Sequence, residues 1–365
     1  MKIGFYLAHP AHYHLFKNTI HNVSKYADVL VVYNQKDVLR ELTKGFSSSI
    51  TVKEVQTIKS VNNKIGLLIQ FVQKNIGAYK IFRKEKPDLV FGTPILVPLI
   101  GKILQYKSFI VNEDDFDIVK KTADFGYPYA TGIICPDVCR TGKFKDKSIT
   151  YHSYHELAYL HPNHFTPDKL VVEKYFNATE PYFIIRFAKL KAHHDTGISG
   201  IDFEIAKHLL AILQPHGKVY ISSERKLEPE FESFRIVINP LDMHHIMAFA
   251  KLYIGDSQTM AAESGVLGTP FIRFNDFVGR IGYLADLEDN YQLGYGIKPS
   301  EPQMLFQKVQ ELMKIDNLKE IFSQRRQKML SEKIDAAKFL SWFIKDYPKS
   351  IDIMKTNPEF QFNFK

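Results

Sequence analysis

Residues 252–274 read LYIGDSQTMAAESGVLGTPFIRF. The opening LYIG is a short apolar run of the kind that makes a buried strand. Asp256 and Ser257 follow, and both side chains accept hydrogen bonds from the open N–H groups of a helix start. Gln258 and Thr259 lead into a helix that Gly265 and Gly268 close, and Pro270 opens the next strand. A strand that turns directly into a helix leaves free N–H groups and the positive end of the helix dipole past the strand end. Phosphate binds readily there. In open α/β sheets, ligands gather beyond the carboxyl ends of the strands, so the position also suits a ligand. Glu263 stands six residues after Ser257, where a carboxylate can accept from two vicinal ribose hydroxyls. The stretch reads as a cradle for a nucleotide diphosphate. Its bland alternative is an ordinary capped strand-to-helix turn, which any α/β protein owns.

The same rhythm of apolar and amphipathic runs extends on both sides. Upstream, residues 181–187 (PYFIIRF), 218–223 (KVYISS) and 234–239 (FRIVIN) read as strands, with helices over 203–213 and 244–250. Downstream, residues 302–345 carry apolar residues at helical spacing. The first half repeats the pattern, with strands at 2–8, 27–34, 87–91, 108–111 and 132–135 and helices around 12–26 and 65–83. Such alternation marks βα units on parallel sheets. Residues 151–168, YHSYHELAYLHPNHFTPD, break it and read as loop. The domain junction is placed just after this loop. The expected division is a Rossmann-like domain over 1–170 and a second over 171–331. A last helix over 332–350, with Trp342, is expected to pack back on the first domain.

A chain of 365 residues is more than one hydrophobic core usually serves, which agrees with two domains. The 45% hydrophobic and 24% charged residues are those of an ordinary globular protein. A net charge of +8 favours phosphorylated ligands, an anionic membrane or nucleic acid, or else marks a solvated lysine-rich surface. No recognised nucleic-acid-binding module is present. Cys135 and Cys139 have no second pair nearby, which argues for two reduced thiols in the cytoplasm rather than a zinc site. The N-terminus MKIGFYLAHPAH enters a strand at once and is too short in its apolar part for a signal peptide. The longest apolar run, 89–104, is interrupted by Pro94, Pro98 and Lys102 and is no transmembrane helix. The helix over 65–83 mixes Leu67, Leu68 and Phe71 with Lys74, Lys80 and Arg83. That suits the inner face of an anionic membrane, or more simply a core-facing stripe with a basic outer face. There is no G-x-x-x-x-G-K-[ST] and no G-x-G-x-x-G after the first strand, which sets aside ATPase and dehydrogenase chemistry.

Residues 239–274, NPLDMHHIMAFAKLYIGDSQTMAAESGVLGTPFIRF, resemble the UDP-binding stretch of the non-hydrolysing UDP-N-acetylglucosamine 2-epimerases. Those proteins share the Pro-Leu pair, the apolar strand, Asp-Ser, a Glu six residues after the Ser, and Leu-Gly-x-Pro. The resemblance implies that Ser257, Gln258 and Thr259 meet the β-phosphate and Glu263 the ribose. This chain has Gln-Thr where the epimerases have Gly-Gly, and the Cβ atoms make close approach harder. With PAHYHLFK at 10–17, HELAYLHPNHFTPD at 155–168 and RFAKLKAHHD at 186–195, the chain also resembles the DUF354 family. That group is similar to GT-B glycosyltransferases and to these epimerases. The likeness implies a GT-B-like α/β architecture: two Rossmann-like domains facing a central cleft, with a C-terminal helix crossing back.

Other residues stand where chemistry is expected. The loop after the first strand holds His9, His12 and His14, and imidazole suits proton transfer near neutral pH. His12 is the choice for a base, against a capping or packing role. Glu113, Asp114 and Asp115 follow the strand at 108–111, and adjacent carboxylates raise each other's pKa. Glu113 and Asp114 are candidate bases, against a solvated acidic turn. Arg186 follows the first strand of the second domain and can reach a diphosphate with its fork. Ser222, Ser223, Glu224 and Arg225 follow the next strand, and Ser223 and Arg225 are candidate nucleotide contacts. Lys191, His193, His194 and Asp195 lie on a loop, with His193 a candidate sugar contact. His155 and Glu156 are the best polar members of the junction loop for an acceptor. With Tyr159 in place of a second His they are no H-E-x-x-H zinc motif, and the spacing of His161 and His164 is no usual zinc spacing. No metal and no cofactor are expected.

The reading is a metal-independent glycosyltransferase of the GT-B type. It takes a nucleotide-diphosphate sugar, with UDP the expected carrier, and a surface polysaccharide or glycolipid acceptor. It is cytoplasmic, or peripheral at the inner face of the membrane. The alternatives are a UDP-N-acetylglucosamine 2-epimerase-like enzyme, with Glu113 and His193 as its acid and base, and a non-catalytic nucleotide-sugar-binding subunit.

Overall fold

A computed structural model describes residues 1–35, 38–56, 64–177, 179–187, 200–223 and 225–365. The expected sugar contact His193 lies outside the described residues, with Lys191, His194, Asp195 and Glu224. So do the side chains of Leu67, Leu68, Phe71 and Lys74 on the candidate membrane face. Contacts divide the chain into two units, Met1–Tyr159 with Ile334–Lys365, and Leu160–Lys333. Residues 160–170, expected in the first domain, fall in the second unit. The reason is local: the Phe165 ring packs 4.7 Å from that of His245, and the Asp168 amide donates to His245 Nδ1 at 2.9 Å.

The first unit is built on seven parallel strands: β1 Lys2–Leu7, β2 Asp28–Asn34, β3 Thr51–Val55, β4 Leu89–Gly92, β5 Lys107–Val111, β6 Gly132–Pro136 and β7 Ser148–Tyr151. Their order is β3-β2-β1-β4-β5-β6-β7. The central strands are almost wholly buried, so they read as continuous apolar runs rather than alternating ones. Phe5, Phe91 and Phe109 stand in register on β1, β4 and β5 and stack at 5.9 and 5.0 Å. Phe343 and Tyr347, from the C-terminal segment, close on Phe109 edge-on at 5.4 and 5.5 Å. The helix carrying Phe343 spans Ala336–Lys345 and packs along the helix Pro10–Val23. Asp335 caps it, accepting from the amides of Ala337 and Lys338. The single helix expected over 332–350 is thus two. Pro348 cannot continue a helix, and a second one, Lys349–Thr356, starts after it.

The second unit has five parallel strands: β8 Tyr182–Phe187, β9 Lys218–Ser223, β10 Leu252–Gly255, β11 Phe271–Phe274 and β12 Gly294–Ile297. Their order is β12-β11-β10-β8-β9. The strand expected over 234–239 is absent. A 3-10 turn at Pro229–Phe234 precedes it and Pro240 follows, leaving one bridge between Arg235 and Ile221 while Val237 is 80% exposed. Strands β3, β7 and β12 were not expected. Each is a short strand at the edge of its sheet. Behind the second sheet lies a buried ion pair. Arg273 is fully buried on β11 and donates from Nε and NH2 to Glu288 at 2.9 and 3.0 Å.

Each sheet reverses its strand order once, between β1 and β4 in the first and between β8 and β10 in the second. The crevice past the strand ends at such a reversal is where α/β sheets bind ligands. Among the described residues, no helix is long and apolar enough to cross a membrane.

Candidate functional site

In the second unit, β10 ends at the reversal with Gly255 in register between Arg186 of β8 and Arg273 of β11. Glycine is required there by space. A Cβ would lie 2.5 Å from the Tyr253 hydroxyl and 2.9 Å from Arg186 Cβ. Its absence lets the tyrosine and the arginine close up beneath the turn. Burial pushes the Tyr253 phenol far above its usual value, so it stays neutral; the nearby Arg186 charge pulls the other way.

The turn then enters the helix Gln258–Leu267. Ser257 is its N-cap, with extended backbone and Oγ accepting from the Met260 amide at 3.4 Å. First-turn amides have no acceptor within their helix, and Ser257, Gln258 and Thr259 are all partly exposed. The helix ends, as the sequence indicates, at Gly268 with φ +82°, a left-handed backbone that favours glycine. Asn275, after β11, donates to the Asp256 carbonyl at 3.0 Å and fixes the turn from the side.

Arg186 donates from NH1 to Ser222 Oγ at 2.7 Å, which lays its guanidinium along the strand ends. Ser223 and Arg225 are drawn into a local turn instead. Ser223 Oγ accepts from the Arg225 amide and donates to the Arg225 carbonyl. The Arg225 guanidinium donates to the Ile201 carbonyl at 3.0 Å and lies 4.8 Å over the Phe187 ring. Glu263 is buried on the helix, and His244 Nε2 donates to its Oε1 at 2.9 Å. Sequence reasoning missed His244, whose only signal is the His-His pair after Pro-Leu-Asp, and Asn275.

In the first unit, His12 stands at the other reversal. Its Nδ1 accepts from the Ala8 amide at 3.1 Å, which leaves Nε2 as the protonated nitrogen, 2.7 Å from Thr93 Oγ1 after β4. The ring thus ties the loop after β1 to the loop after β4. His9 caps the helix Pro10–Val23 by accepting from the Ala11 amide. His14 is buried against Tyr159.

The acidic turn after β5 is sorted by the fold. Asp115 is fully buried and accepts from the Arg140 amide and Nε at 2.8 and 3.0 Å. Asn112 donates to the Asp114 carbonyl at 2.9 Å. Glu113 remains partly exposed, with His155 Nδ1 3.2 Å from its Oε2 and the Cys139 thiol donating to its carbonyl. His155 and Glu156 follow β7 and are both buried, as is Tyr151. Burial, then the charges of Glu113 and its neighbours, hold the Tyr151 phenol far up and neutral. The structure therefore gathers Glu113, Tyr151, His155 and Glu156 past the ends of β5 and β7. His155 lies behind the carboxylate of Glu113 rather than in the open.

Burial also pushes the His155 imidazole down to about 3. An unfolded chain protonates this ring near pH 6.5, while the folded chain holds it neutral. Its contribution to stability is whole above about pH 6.5 and is lost toward pH 3, at about 1.4 kcal/mol per pH unit. Denaturant melts from pH 7 to 4 should show a shallower loss in His155→Phe. Equal slopes would contradict this placement of the ring.

Among the described residues no group of three or more His, Cys, Asp or Glu is arranged to hold a metal ion. His161 and His164 stand 6.3 Å apart between ring centres, and His161 Nδ1 accepts from the Asn163 amide.

No protein-family model matches the chain. No curated protein matches it either. Solved structures do. S. aureus MnaA in its UDP co-structure is similar over 96% of this chain and 98% of its own, with 13% identity and a TM-score of 0.67. The Methanocaldococcus jannaschii UDP-GlcNAc 2-epimerase in complex with UDP-GlcNAc and UDP covers 87% of this chain and 94% of its own, with 12% identity and a TM-score of 0.62. The spinosyn forosaminyltransferase SpnP covers 94% and 98%, with 12% identity and a TM-score of 0.63. At such identities the likeness is one of fold. The chain has two parallel-sheet α/β domains of the GT-B type, the fold of these glycosyltransferases and UDP-GlcNAc 2-epimerases.

Proposed function

We propose that the protein is a glycosyltransferase that takes a nucleotide-diphosphate sugar, with UDP as the carrier, and passes the sugar to a polysaccharide or glycolipid acceptor. The observation that carries the reading is the second sheet's reversal. Arg186 and the open first turn of the helix at Ser257–Thr259 flank it on adjacent strands. A guanidinium fork and helix-start amides are complementary to a diphosphate and stabilise it as a leaving group. The S. aureus and M. jannaschii neighbours are complexes with UDP, which favours it here.

Glu113 is the proposed base for the acceptor hydroxyl, with His155 positioning it. Glu156 and Tyr151 extend the same polar cluster toward the acceptor. His12, engaged between Ala8 and Thr93, is proposed to order the loops at the first reversal. Asp114 is the second carboxylate of that edge. The likeness to the DUF354 family and a place in the cytoplasm, at the inner face of the membrane, belong to the same proposal and rest on the residues quoted above.

An epimerase reading has its own support, since the M. jannaschii epimerase, at a TM-score of 0.62, fits as well as the transferase SpnP at 0.63. Incubation with UDP-GlcNAc in deuterated water separates the two. Deuterium at C2 without acceptor establishes epimerisation; acceptor-dependent UDP release without it establishes transfer. Arg186→Ala should weaken UDP binding by about 10- to 100-fold in a thermal-shift titration, the effect of losing a charge-assisted contact. Undiminished affinity would remove Arg186 from the site.

A further inference from the structure

The first unit holds a cavity of about 530 Å³ at the opposite ends of its strands from Thr93 and Glu113. It lies where the helices Lys64–Glu85 and Leu96–Leu104 finish and where β4 and β5 begin. Phe82, Leu104 and Tyr106 form its apolar wall. The Phe82 and Tyr106 rings meet edge-on at 5.5 Å, and the Tyr106 hydroxyl donates to the Val97 carbonyl at 2.7 Å. Gly101 makes room for this packing, since a Cβ there would lie 2.9 Å from the Tyr106 ring. The wall is therefore held in place from behind.

Arg83, Lys86 and Lys107 line the same cavity and are exposed. Asp88 is the one carboxylate among its described lining residues. Lys2 engages it and its neighbour, the Lys2 amide donating to Asp88 at 2.7 Å and the ammonium to Glu85 at 2.5 Å. Among the described residues, no ion pair or hydrogen bond uses the charged ends of Arg83, Lys86 or Lys107. Cations at a helix end can serve the free carbonyls there. Here backbone amides return to those ends, Lys86 to the Phe82 carbonyl at 2.9 Å and Gln105 to that of Gly101 at 2.7 Å. Both residues hold left-handed backbone, φ +49° and +62°, which glycine would take without strain. Both line the cavity.

We propose that this cavity binds a phosphate monoester carried on an apolar group, the phosphate on Arg83, Lys86 and Lys107 and the apolar body against Leu104 and Tyr106. Three cations against one carboxylate leave an excess of two charges, which matches the dianion. The volume is that of a small-ligand site. The cavity is at the far ends of the strands from Glu113, so its occupant is an effector or an anchor rather than a reactant. The inference does not depend on the transferase reading.

The test titrates the full chain with phenyl phosphate by calorimetry, beside inorganic phosphate. Wild type is expected to bind phenyl phosphate, and inorganic phosphate about 10-fold more weakly, the effect of burying a ring. Lys86→Asn with Lys107→Gln should weaken phenyl phosphate about 10-fold or more, through the loss of two charge-assisted contacts. Asn tolerates the left-handed backbone, so this variant should fold. Lys143→Gln with Lys145→Gln, exposed elsewhere in the unit, should leave the affinity within about twofold. Cosedimentation with vesicles containing phosphatidic acid, lost in the cavity variant, assigns the ester to a lipid. Phenyl phosphate binding without cosedimentation assigns it to a soluble compound. No binding by wild type, undiminished affinity in the cavity variant, or an equal loss in the two double variants overturns the inference. Displacement of phenyl phosphate by UDP would place the probe in the second unit's crevice and overturn it as well.

Discussion

Glu113→Gln is expected to lower turnover with a UDP-sugar and acceptor by about 10²- to 10⁴-fold, the usual contribution of a general base. Gln keeps the shape of the side chain and removes its ability to take a proton. Glu113 is the one carboxylate of its turn that is both partly exposed and backed by a neutral imidazole, His155, at 3.2 Å. Asp115, two residues on, is fully buried and committed to Arg140, so Asp115→Asn should disturb folding more than chemistry. UDP affinity of Glu113→Gln should stay within about twofold of wild type, since a base acts in the transition state and not in nucleotide binding. Steady-state rates beside a UDP titration read both. A variant with wild-type turnover would take the base role from Glu113.

Glu288→Ala is expected to cost about 3–5 kcal/mol of stability in the second unit. The substitution leaves the fully buried Arg273 guanidinium without the carboxylate that receives both its Nε and NH2. An uncompensated charge in that position is much worse than no pair at all. Burial raises the Glu288 carboxyl above its usual value while Arg273 holds it down, which shows how far the pair depends on itself. A double change, Arg273→Met with Glu288→Leu, should therefore recover most of the loss. Urea melts monitored on the second unit separate these outcomes. A loss below about 1 kcal/mol in the single variant would mean that water reaches the arginine.

The strand-to-helix turn at Ser257 was legible because its signals are local. An apolar tetrad, Asp-Ser, and glycines at the far end specify a strand, a cap and a helix stop within seventeen residues, 252–268. The edge strands β3, β7 and β12 were not legible, because four or five residues at a sheet edge are ordered by the strand beside them. The run FRIVIN shows the converse. It has the composition of a strand, yet the turns at both ends leave it one bridge. The site residues divide in the same way. Ser257 and Gly268 could be read in place, whereas the approach of His155 to Glu113 is a product of sheet order, with β6 lying between the strands that carry them. For Arg225, a candidate nucleotide contact or else an exposed side chain by its position after a strand, that position does not reveal that Phe187 and the Ile201 carbonyl hold the guanidinium.

A calorimetric titration of the wild-type protein with UDP and with uridine tests most directly whether the reversal of the second sheet binds a nucleotide through its diphosphate. If Arg186 and the first turn at Ser257–Thr259 hold the phosphates, UDP should bind about 100-fold more tightly than uridine or better. Equal affinities for the two, or no heat of binding with UDP, would contradict the account.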